Sequence, residues 1–226
     1  MSLLFKIFTI FPEIFPGCLN SSVTGIALKK NLWNYQAINI RDYSTDKHKI
    51  VDDEIYGGGC GMLLKPDIIA NAIDANLDFA NNNNSKKKLI YLSPRGKLFN
   101  QKMAQEFANL KELAIICGRY EGIDQRVIEE YDIEEISIGN YILSGGEVAA
   151  LPMMDAIIRN IDGVLGNRQS LKDESFSINY KNNENFLEYD QYTRPAIWRG
   201  REVPKVLRSG NHKLIKKWKE ENRNKK

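Results

Sequence analysis

Three glycine- or proline-bearing segments in the middle of the chain have the composition of ligand-binding loops. They contain few ionisable groups and read Ser93-Pro-Arg-Gly96, Gly118-Arg-Tyr-Glu-Gly-Ile-Asp124 and Gly139-Asn-Tyr-Ile-Leu-Ser-Gly-Gly146. Glycine lets main-chain N–H and C=O groups approach a ligand closely, and Leu92, Ile138 and Leu143 offer apolar walls, so these loops suit a neutral heterocycle such as adenine. The pattern favours a site that recognises its ligand mainly through backbone groups.

Several common catalytic signatures are missing from the sequence. No glycine-rich loop ends in Gly-Lys-Ser/Thr, and the glycines at 57–61 lack dinucleotide-binding spacing, which argues against P-loop and Rossmann enzymes. His48 and His212 are the only histidines, and the three cysteines are far apart, so we expect neither a Ser-His-Asp site nor a metal centre.

The three loops each follow a short apolar run and precede a helical pattern. The runs at 89–92, 113–117 and 135–138 predict strands, and the segments that follow the loops predict helices. This alternation is typical of an α/β fold with a mainly parallel sheet. Because ligands of such sheets bind beyond the carboxyl ends of the strands, the three loops are expected to meet in one site.

Charge is distributed unevenly along the chain. Residues 192–226 contain 12 Lys or Arg against three acidic residues, whereas the other 191 residues carry 20 basic and 26 acidic side chains. A basic segment attached to an acidic body is typical of a polyanion binder such as an RNA- or DNA-binding protein.

Composition also suggests a division of the chain. We predict a catalytic α/β domain at 1–166, a polar flexible linker at 167–185 and a small, mostly helical basic domain at 186–226. No apolar run approaches the roughly 18 residues of a membrane span, and residues 1–15 lack the pattern of a signal peptide. A cytoplasmic protein without a membrane partner is the expectation.

Longer motifs, taken together, resemble the bacterial tRNA (guanine-N1)-methyltransferase family. The strongest are Cys117-Gly-Arg-Tyr-Glu-Gly-Ile-Asp124, Ser137-Ile-Gly-Asn-Tyr-Ile-Leu-Ser-Gly-Gly-Glu147 and Val51-Asp-Asp-Glu-Ile-Tyr-Gly-Gly-Gly-Cys-Gly61. Shorter matches, including Tyr192-Thr-Arg-Pro195 and Ser209-Gly-Asn-His212, follow in the same order, so the resemblance covers nearly the whole chain.

The resemblance implies a fold, a cofactor and partners. The fold is an α/β domain with a deep trefoil knot, which the general rule against threaded chains would not suggest. The cofactor is S-adenosyl-L-methionine, the substrate is tRNA, and the enzyme is a homodimer whose sites are shared between subunits. The implied cofactor contacts are Tyr91, Leu92, Ser93, Pro94, Gly118, Tyr120, Glu121, Gly122, Ser137, Ile138, Gly139, Asn140, Tyr141, Ile142, Leu143, Gly145 and Gly146.

The reaction implied by the resemblance is methyl transfer to N1 of guanine at tRNA position 37, beside the anticodon. Arg159 matches the essential arginine of the family. Family members commonly read Asp-Ser-Phe where this chain reads Asp173-Glu-Ser-Phe176, so alignment on Ser-Phe makes Glu174 the general base and Asp173 the alternative. The linker that carries this carboxylate is expected to become ordered with tRNA and to act as a lid. Basic residues Arg194, Arg199, Arg201, Lys205, Arg208 and those at 213–219 are expected to contact tRNA phosphates.

Rival functions differ in what they require. A knotted RNA methyltransferase that acts on another nucleotide fits the basic segment and the carboxylates nearly as well, and only the family motifs argue against it. A non-catalytic RNA-binding protein would need neither Arg159 nor a carboxylate base and would not bind S-adenosylmethionine. An ATP-dependent α/β enzyme would need a phosphate-anchoring lysine that is not apparent.

Overall fold

A computed structural model describes residues 2–78, 86–166, 174–176 and 187–223. The chain divides into two compact units, Met1–Gly166 and Asn167–Lys226. The first unit contains the central sheet and all three motif loops. Of the predicted linker, the described part is limited to residues 174–176.

The first unit alternates strands and helices. Its strands are β1 (Leu3–Thr9), β2 (Trp33–Asn39), β3 (Asp52–Glu54), β4 (Met62–Leu64), β5 (Lys87–Leu98), β6 (Glu112–Cys117) and β7 (Glu134–Ser137). Its helices are α1 (Ser22–Lys29), α2 (Pro66–Asn76), α3 (Gln101–Phe107), α4 (Gln125–Glu130) and α5 (Gly146–Ile158).

Five strands form one parallel sheet in the order β2-β1-β6-β5-β7. The predicted mainly parallel α/β sheet is therefore confirmed. Strands β3 and β4 form a separate antiparallel pair. Since β5, β6 and β7 are neighbours and run in the same direction, the segments that follow β6 and β7 leave the sheet at the same edge.

Helices cover both faces of the sheet. Alternate residues of β1 and β6 point to opposite sides, as strand geometry requires: Phe5 and Ile115 belong to one apolar cluster, and Phe8 and Ile116 to the other. The first cluster includes buried residues of α1, α3 and α5, and the second includes buried residues of α2 and α4. This packing fixes α5 on one face of the sheet.

Local signals explain where three helices begin. Pro66 occupies the first turn of α2, where its fixed φ angle fits and its missing N–H costs nothing. The side chains of Asn100 and Asp124 accept hydrogen bonds from the N–H groups of Met103 and Arg126 and so cap α3 and α4. Asp124 is the last residue of the second motif loop, so its cap also sets where that loop ends.

The prediction of a loop at residues 93–96 is wrong. These residues lie within β5, which continues to Leu98. Both Leu92 and Lys97 are in register with Ile136 of β7, so the four residues between them form a large bulge on β5. The bulge directs Ser93 and Pro94 away from the regular ladder without ending the strand.

The second unit contains small elements in its described part. These are a hairpin of β8 (Ile197–Trp198) and β9 (Arg201–Glu202), a 3-10 turn at Lys205–Arg208 and helix α6 (His212–Glu221). Trp218 of α6 contacts the rings of Tyr189 and Tyr192 edge to face, at centroid distances of 6.0 and 6.3 Å. Within residues 187–223 no side chain is fully buried.

Candidate active site

A pocket of about 220 Å³ lies at the carboxyl ends of β5, β6 and β7. The bulge of β5, the segment after β6 and the segment between β7 and α5 form its walls. Its lining residues are Tyr91, Leu92, Ser93, Pro94, Gly118, Arg119, Tyr120, Glu121, Gly122, Ile136, Ser137, Ile138, Gly139, Tyr141, Ile142, Leu143, Ser144, Gly145, Gly146 and Ala149.

The structure brings the three motif segments together around this pocket. Every residue expected to contact the cofactor lines it except Asn140, which is exposed. Four further residues line the pocket: Arg119 and Ser144, which fall within the expected loops, and Ile136 and Ala149, which were not expected. Arg119 and Ser144 are within the quoted motifs, and Ala149 follows Gly146 by one turn of α5, so helical spacing was the available signal for it.

Glycines allow the pocket walls to approach one another. A Cβ atom at Gly118 or Gly122 would lie 2.8 or 2.7 Å from the hydroxyl of Tyr91. One at Gly146 would lie 2.7 Å from the Cα atom of Cys117, and the N–H of Gly146 donates to the Gly118 carbonyl. A larger residue at position 146 would separate the start of α5 from the end of β6, and one at position 118 or 122 would displace the Tyr91 ring, so the glycines set the width of the pocket.

Tyr91 forms the floor of the pocket. It is only 6% exposed. Burial raises the pKa of its phenol, and the negative charge of Glu135 raises it further. The hydroxyl therefore remains protonated at neutral pH and keeps its ability to donate a hydrogen bond.

A buried carboxylate connects three of the segments around the pocket. Glu147 is fully buried in the first turn of α5. Its Oε1 accepts a hydrogen bond from the Thr9 hydroxyl at 2.6 Å, and its Oε2 accepts one from Nε of Arg119 at 2.8 Å. Arg119 also donates to the Ser144 carbonyl at 3.2 Å, and its guanidinium lies 4.4 Å from the centre of the Phe11 ring. The end of β1 is thereby tied to both long loops of the pocket.

The second motif loop, at 118–124, also contacts the β3–β4 pair. The N–H of Glu121 donates to the Met62 carbonyl at 3.0 Å, and the N–H of Leu64 donates to the Gly122 carbonyl at 3.0 Å. Gly61 has a φ of +119°, and a Cβ atom there would lie 2.7 Å from the Glu121 side chain. The glycine-rich turn at 57–61 therefore borders the pocket loop that contains Glu121.

Of the three residues expected to act on the acceptor, Arg159 belongs to the first unit and is not among the residues that line the pocket. Arg159 caps the far end of α5, and Ala149 is the pocket residue nearest to it along the helix, about 15 Å away at the usual helical rise. Glu174 belongs to the second unit, and Asp173 lies outside the described residues.

The pocket can bind a flat, mostly apolar molecule with a few polar atoms. Its walls consist of apolar side chains and main-chain segments, and Arg119 and Glu121 are the charged side chains among its described lining residues. Arg119 is already engaged by Glu147, so the pocket does not offer the cluster of positive charge that a polyphosphate would need.

Comparison with known protein families identifies the family of this chain. The family model described as tRNA (Guanine-1)-methyltransferase TrmD matches residues 3–226. The chain belongs to this family.

Similar proteins with the name tRNA (guanine-N(1)-)-methyltransferase occur in several bacteria. The protein of Rickettsia akari (strain Hartford) is 54% identical over 217 residues, which cover 95% of this chain and 90% of that protein. The protein of Ehrlichia ruminantium (strain Gardel) is 54% identical over 95% of this chain and 87% of its own length. That of Ehrlichia canis (strain Jake) is 52% identical over 97% and 89%, respectively.

Among the residues that the structure describes, no helix has the length and apolar character needed to cross a bilayer.

Proposed function

We propose that this protein transfers the methyl group of S-adenosyl-L-methionine to N1 of guanine 37 in tRNA, beside the anticodon. The observation that carries this proposal is the pocket at the carboxyl ends of β5, β6 and β7, built from the family's own motif segments in a chain that belongs to that family. The names of the relatives specify both the tRNA substrate and the guanine N1 acceptor.

The pocket residues fit the adenosyl part of the methyl donor. Leu92, Ile138 and Leu143 provide apolar surface for a purine ring, and the glycine-bearing segments let main-chain groups reach its polar edge. The close packing of Gly118 and Gly122 on the Tyr91 hydroxyl keeps the floor of the pocket narrow, as a flat ring requires. When bound, S-adenosylmethionine supplies an electrophilic methyl group.

The acceptor requires a base and a cation. Guanine N1 carries a proton at neutral pH, so its lone pair becomes strongly nucleophilic only as that proton leaves. We assign the proton to the carboxylate of Glu174, with Asp173 as the alternative base. Negative charge then accumulates on O6 of guanine, and the planar guanidinium of Arg159 can donate to that oxygen.

The distance of Arg159 from its own pocket supports a homodimer with shared sites. The separation of about 15 Å along α5 exceeds the reach of an arginine side chain. A second copy of the chain, related by twofold symmetry, brings the Arg159 end of its α5 to the first pocket. Each active site then combines the pocket of one subunit with residues of the other.

A trefoil knot is consistent with the order of the strands. Strand β7 is at the edge of the sheet next to β5, whereas Gly146, which follows β7, packs against Cys117 and Gly118 at the end of β6 on the other side of β5. The chain between β7 and α5 must therefore cross the carboxyl end of β5. We propose that it does so by threading through the loop of an earlier segment.

The second unit is proposed as the tRNA-binding domain, with the linker at 167–185 as a lid that carries the base. Residues 192–226 contain four times as many basic as acidic side chains, which suits contact with a phosphate backbone. Affinity for tRNA should therefore fall steeply as the salt concentration increases.

Labelled S-adenosylmethionine and tRNA transcripts test the proposed reaction. Transcripts with guanine at position 37 should accept one methyl group, recovered as 1-methylguanosine after nuclease digestion, and transcripts with adenine at that position should accept none. Methylation of both transcripts at another nucleotide would show a different RNA methyltransferase and would refute the proposed target.

Two alanine variants identify the base. Glu174→Ala should reduce the rate constant of methyl transfer by about two to four orders of magnitude, the usual contribution of general-base catalysis, while calorimetry shows unchanged S-adenosylmethionine binding. Asp173→Ala serves as the matched control and should retain activity. If the two results are exchanged, Asp173 is the base; if neither variant loses activity, the assignment of a carboxylate from this segment is wrong.

A further inference from the structure

The hairpin of β8 and β9 presents a tryptophan at the surface of the second unit. Trp198 is 57% exposed, whereas Trp33 is completely buried and Trp218 packs between two tyrosine rings. The turn residues Arg199 and Gly200 have φ angles of +50° and +77°, the left-handed pair that closes a two-residue hairpin tightly. The indole is therefore displayed on a short, defined turn.

Two arginines of the hairpin accompany this indole. The guanidinium of Arg199 lies over the Trp198 ring, 4.9 Å from its centre. Arg201 is directly opposite Trp198 in the hairpin register, so both side chains project from the same face. Ile197, which precedes Trp198 in the strand, projects from the other face. One face of the hairpin thus combines an aromatic ring with two positive charges.

This combination has the chemistry of a nucleobase-stacking surface. Unpaired bases stack on aromatic rings and on the planes of arginine side chains, and a neighbouring guanidinium can contact the adjoining phosphate. Paired bases within a helix have no free face, so such a surface selects single-stranded nucleotides. The strong positive charge of residues 192–226 complements RNA and disfavours an apolar protein partner.

We propose that the Trp198–Arg199 face of this hairpin stacks an unpaired base of the tRNA substrate, while Arg201 contacts a flanking phosphate. The proposal rests on the proposed tRNA methyltransferase function and adds a second point of tRNA recognition to the proposed contact with guanine 37. The hairpin then contributes to the affinity for tRNA and not to the rate of methyl transfer.

Single substitutions in the full-length protein test the stacking contact. Trp198→Ala should weaken tRNA binding, measured by filter binding at fixed salt, by about tenfold to a hundredfold, since loss of one stacked base has costs of this order. Trp198→Phe, which keeps a ring, should recover most of the affinity. Ile197→Ala removes an equally exposed apolar side chain from the opposite face and should bind tRNA like the unmodified protein.

Salt dependence separates stacking from charge. Trp198→Ala should leave the slope of log Kd against log salt concentration unchanged, because a stacked base releases no counterions. Arg201→Gln should reduce that slope by about one, as expected for loss of one phosphate contact. Calorimetry with S-adenosylmethionine should give the same Kd for all variants, which shows that the first unit remains intact.

The outcomes distinguish this inference from the proposed function. If the unmodified protein methylates tRNA and Trp198→Ala binds tRNA equally well, the stacking contact is wrong and the methyltransferase function stands. If Trp198→Ala instead lowers the molecular mass in solution and leaves the tRNA affinity of the remaining dimer unchanged, the hairpin is a subunit contact and the inference is likewise overturned. If the unmodified protein does not bind tRNA, the proposed function itself fails.

Discussion

Glu147 is a charged side chain buried completely beside the candidate pocket. A carboxylate in this position is tolerated because it accepts hydrogen bonds from Thr9 and Arg119 and lies in the first turn of α5, where the helix dipole favours negative charge. Since Arg119 also holds the Ser144 carbonyl, Glu147 controls the spacing of two pocket loops. We assign it a positioning role for cofactor binding.

Replacing this carboxylate should affect both stability and binding. Glu147→Gln keeps the size of the side chain, but its amide group can place a donor against Nε of Arg119. We expect the free energy of unfolding to fall by about 3 kcal/mol, as for other broken buried ion pairs. S-adenosylmethionine should bind about tenfold more weakly, a loss of about 1.4 kcal/mol.

Urea unfolding and calorimetry provide the two readouts. Calorimetry should be performed well below the unfolding temperature, so that the variant is folded. Lys102→Gln, which breaks the exposed pair of Lys102 with Glu106, is the control and should change neither quantity. Unchanged S-adenosylmethionine affinity in folded Glu147→Gln would show that the network stabilises the fold without shaping the pocket.

Individual residues of the pocket were predictable because the family motifs are contiguous. Gly118 and Gly122 belong to one motif, and Gly145 and Gly146 to another. The ion pair between Arg119 and Glu147 joins residues of two motifs. The sequence contains no signal for this pair, because the packing of β6 against α5, and not local spacing, determines which residue contacts the buried charge.

At the level of elements, the sequence predicted the alternation of strands and helices better than the exact ends of the strands. The strands β6 and β7 were expected within one residue of their observed bounds because their apolar runs are bounded by polar residues and glycine. The sequence predicts a loop in place of the β5 bulge because Pro94 and Gly96 are ordinary loop signals. Proline and glycine are also the residues found at large bulges within a strand. Only the pairing of β5 with β7 distinguishes a bulge from a loop.

The bulge requires glycine at position 96. A Cβ atom there would lie 2.4 Å from the backbone of Glu135 and Ile136, and backbone atoms in a sheet cannot move aside easily. Gly96→Ala should therefore reduce the free energy of unfolding by about 1–3 kcal/mol through overpacking. It should also weaken S-adenosylmethionine binding, because Ser93 and Ser137 on the two strands line the pocket.

A second glycine provides the matched control for this steric argument. Gly166→Ala adds the same methyl group where no atom of the described residues lies within 4 Å, and it should change the free energy of unfolding by less than about 0.5 kcal/mol. Equal stability of the two variants in urea unfolding would contradict the close approach of β5 and β7 at the bulge.

On the scale of the whole molecule, the pocket and Arg159 belong to opposite ends of one helix. The sequence placed both on α5 and its preceding loop, but the distance between them follows only from the observed length of the helix. The knot and the shared dimer were expected from family resemblance alone, since neither composition nor periodicity indicates how a chain threads or pairs. The proposed second subunit would bring an arginine to each pocket, as the proposed chemistry requires.

Mixed dimers test most directly whether the pocket and Arg159 act in one reaction across two subunits. One chain carries Arg159→Ala, and the other carries Leu143→Trp, a pocket variant to be used once calorimetry shows that it no longer binds S-adenosylmethionine. Each variant alone should be inactive in tRNA methylation. Purified mixed dimers contain one complete site, formed by the intact pocket of the first chain and Arg159 of the second, and should show about half the activity of the unmodified dimer. Mixed dimers as inactive as both parents would contradict the shared site and with it the role assigned to Arg159.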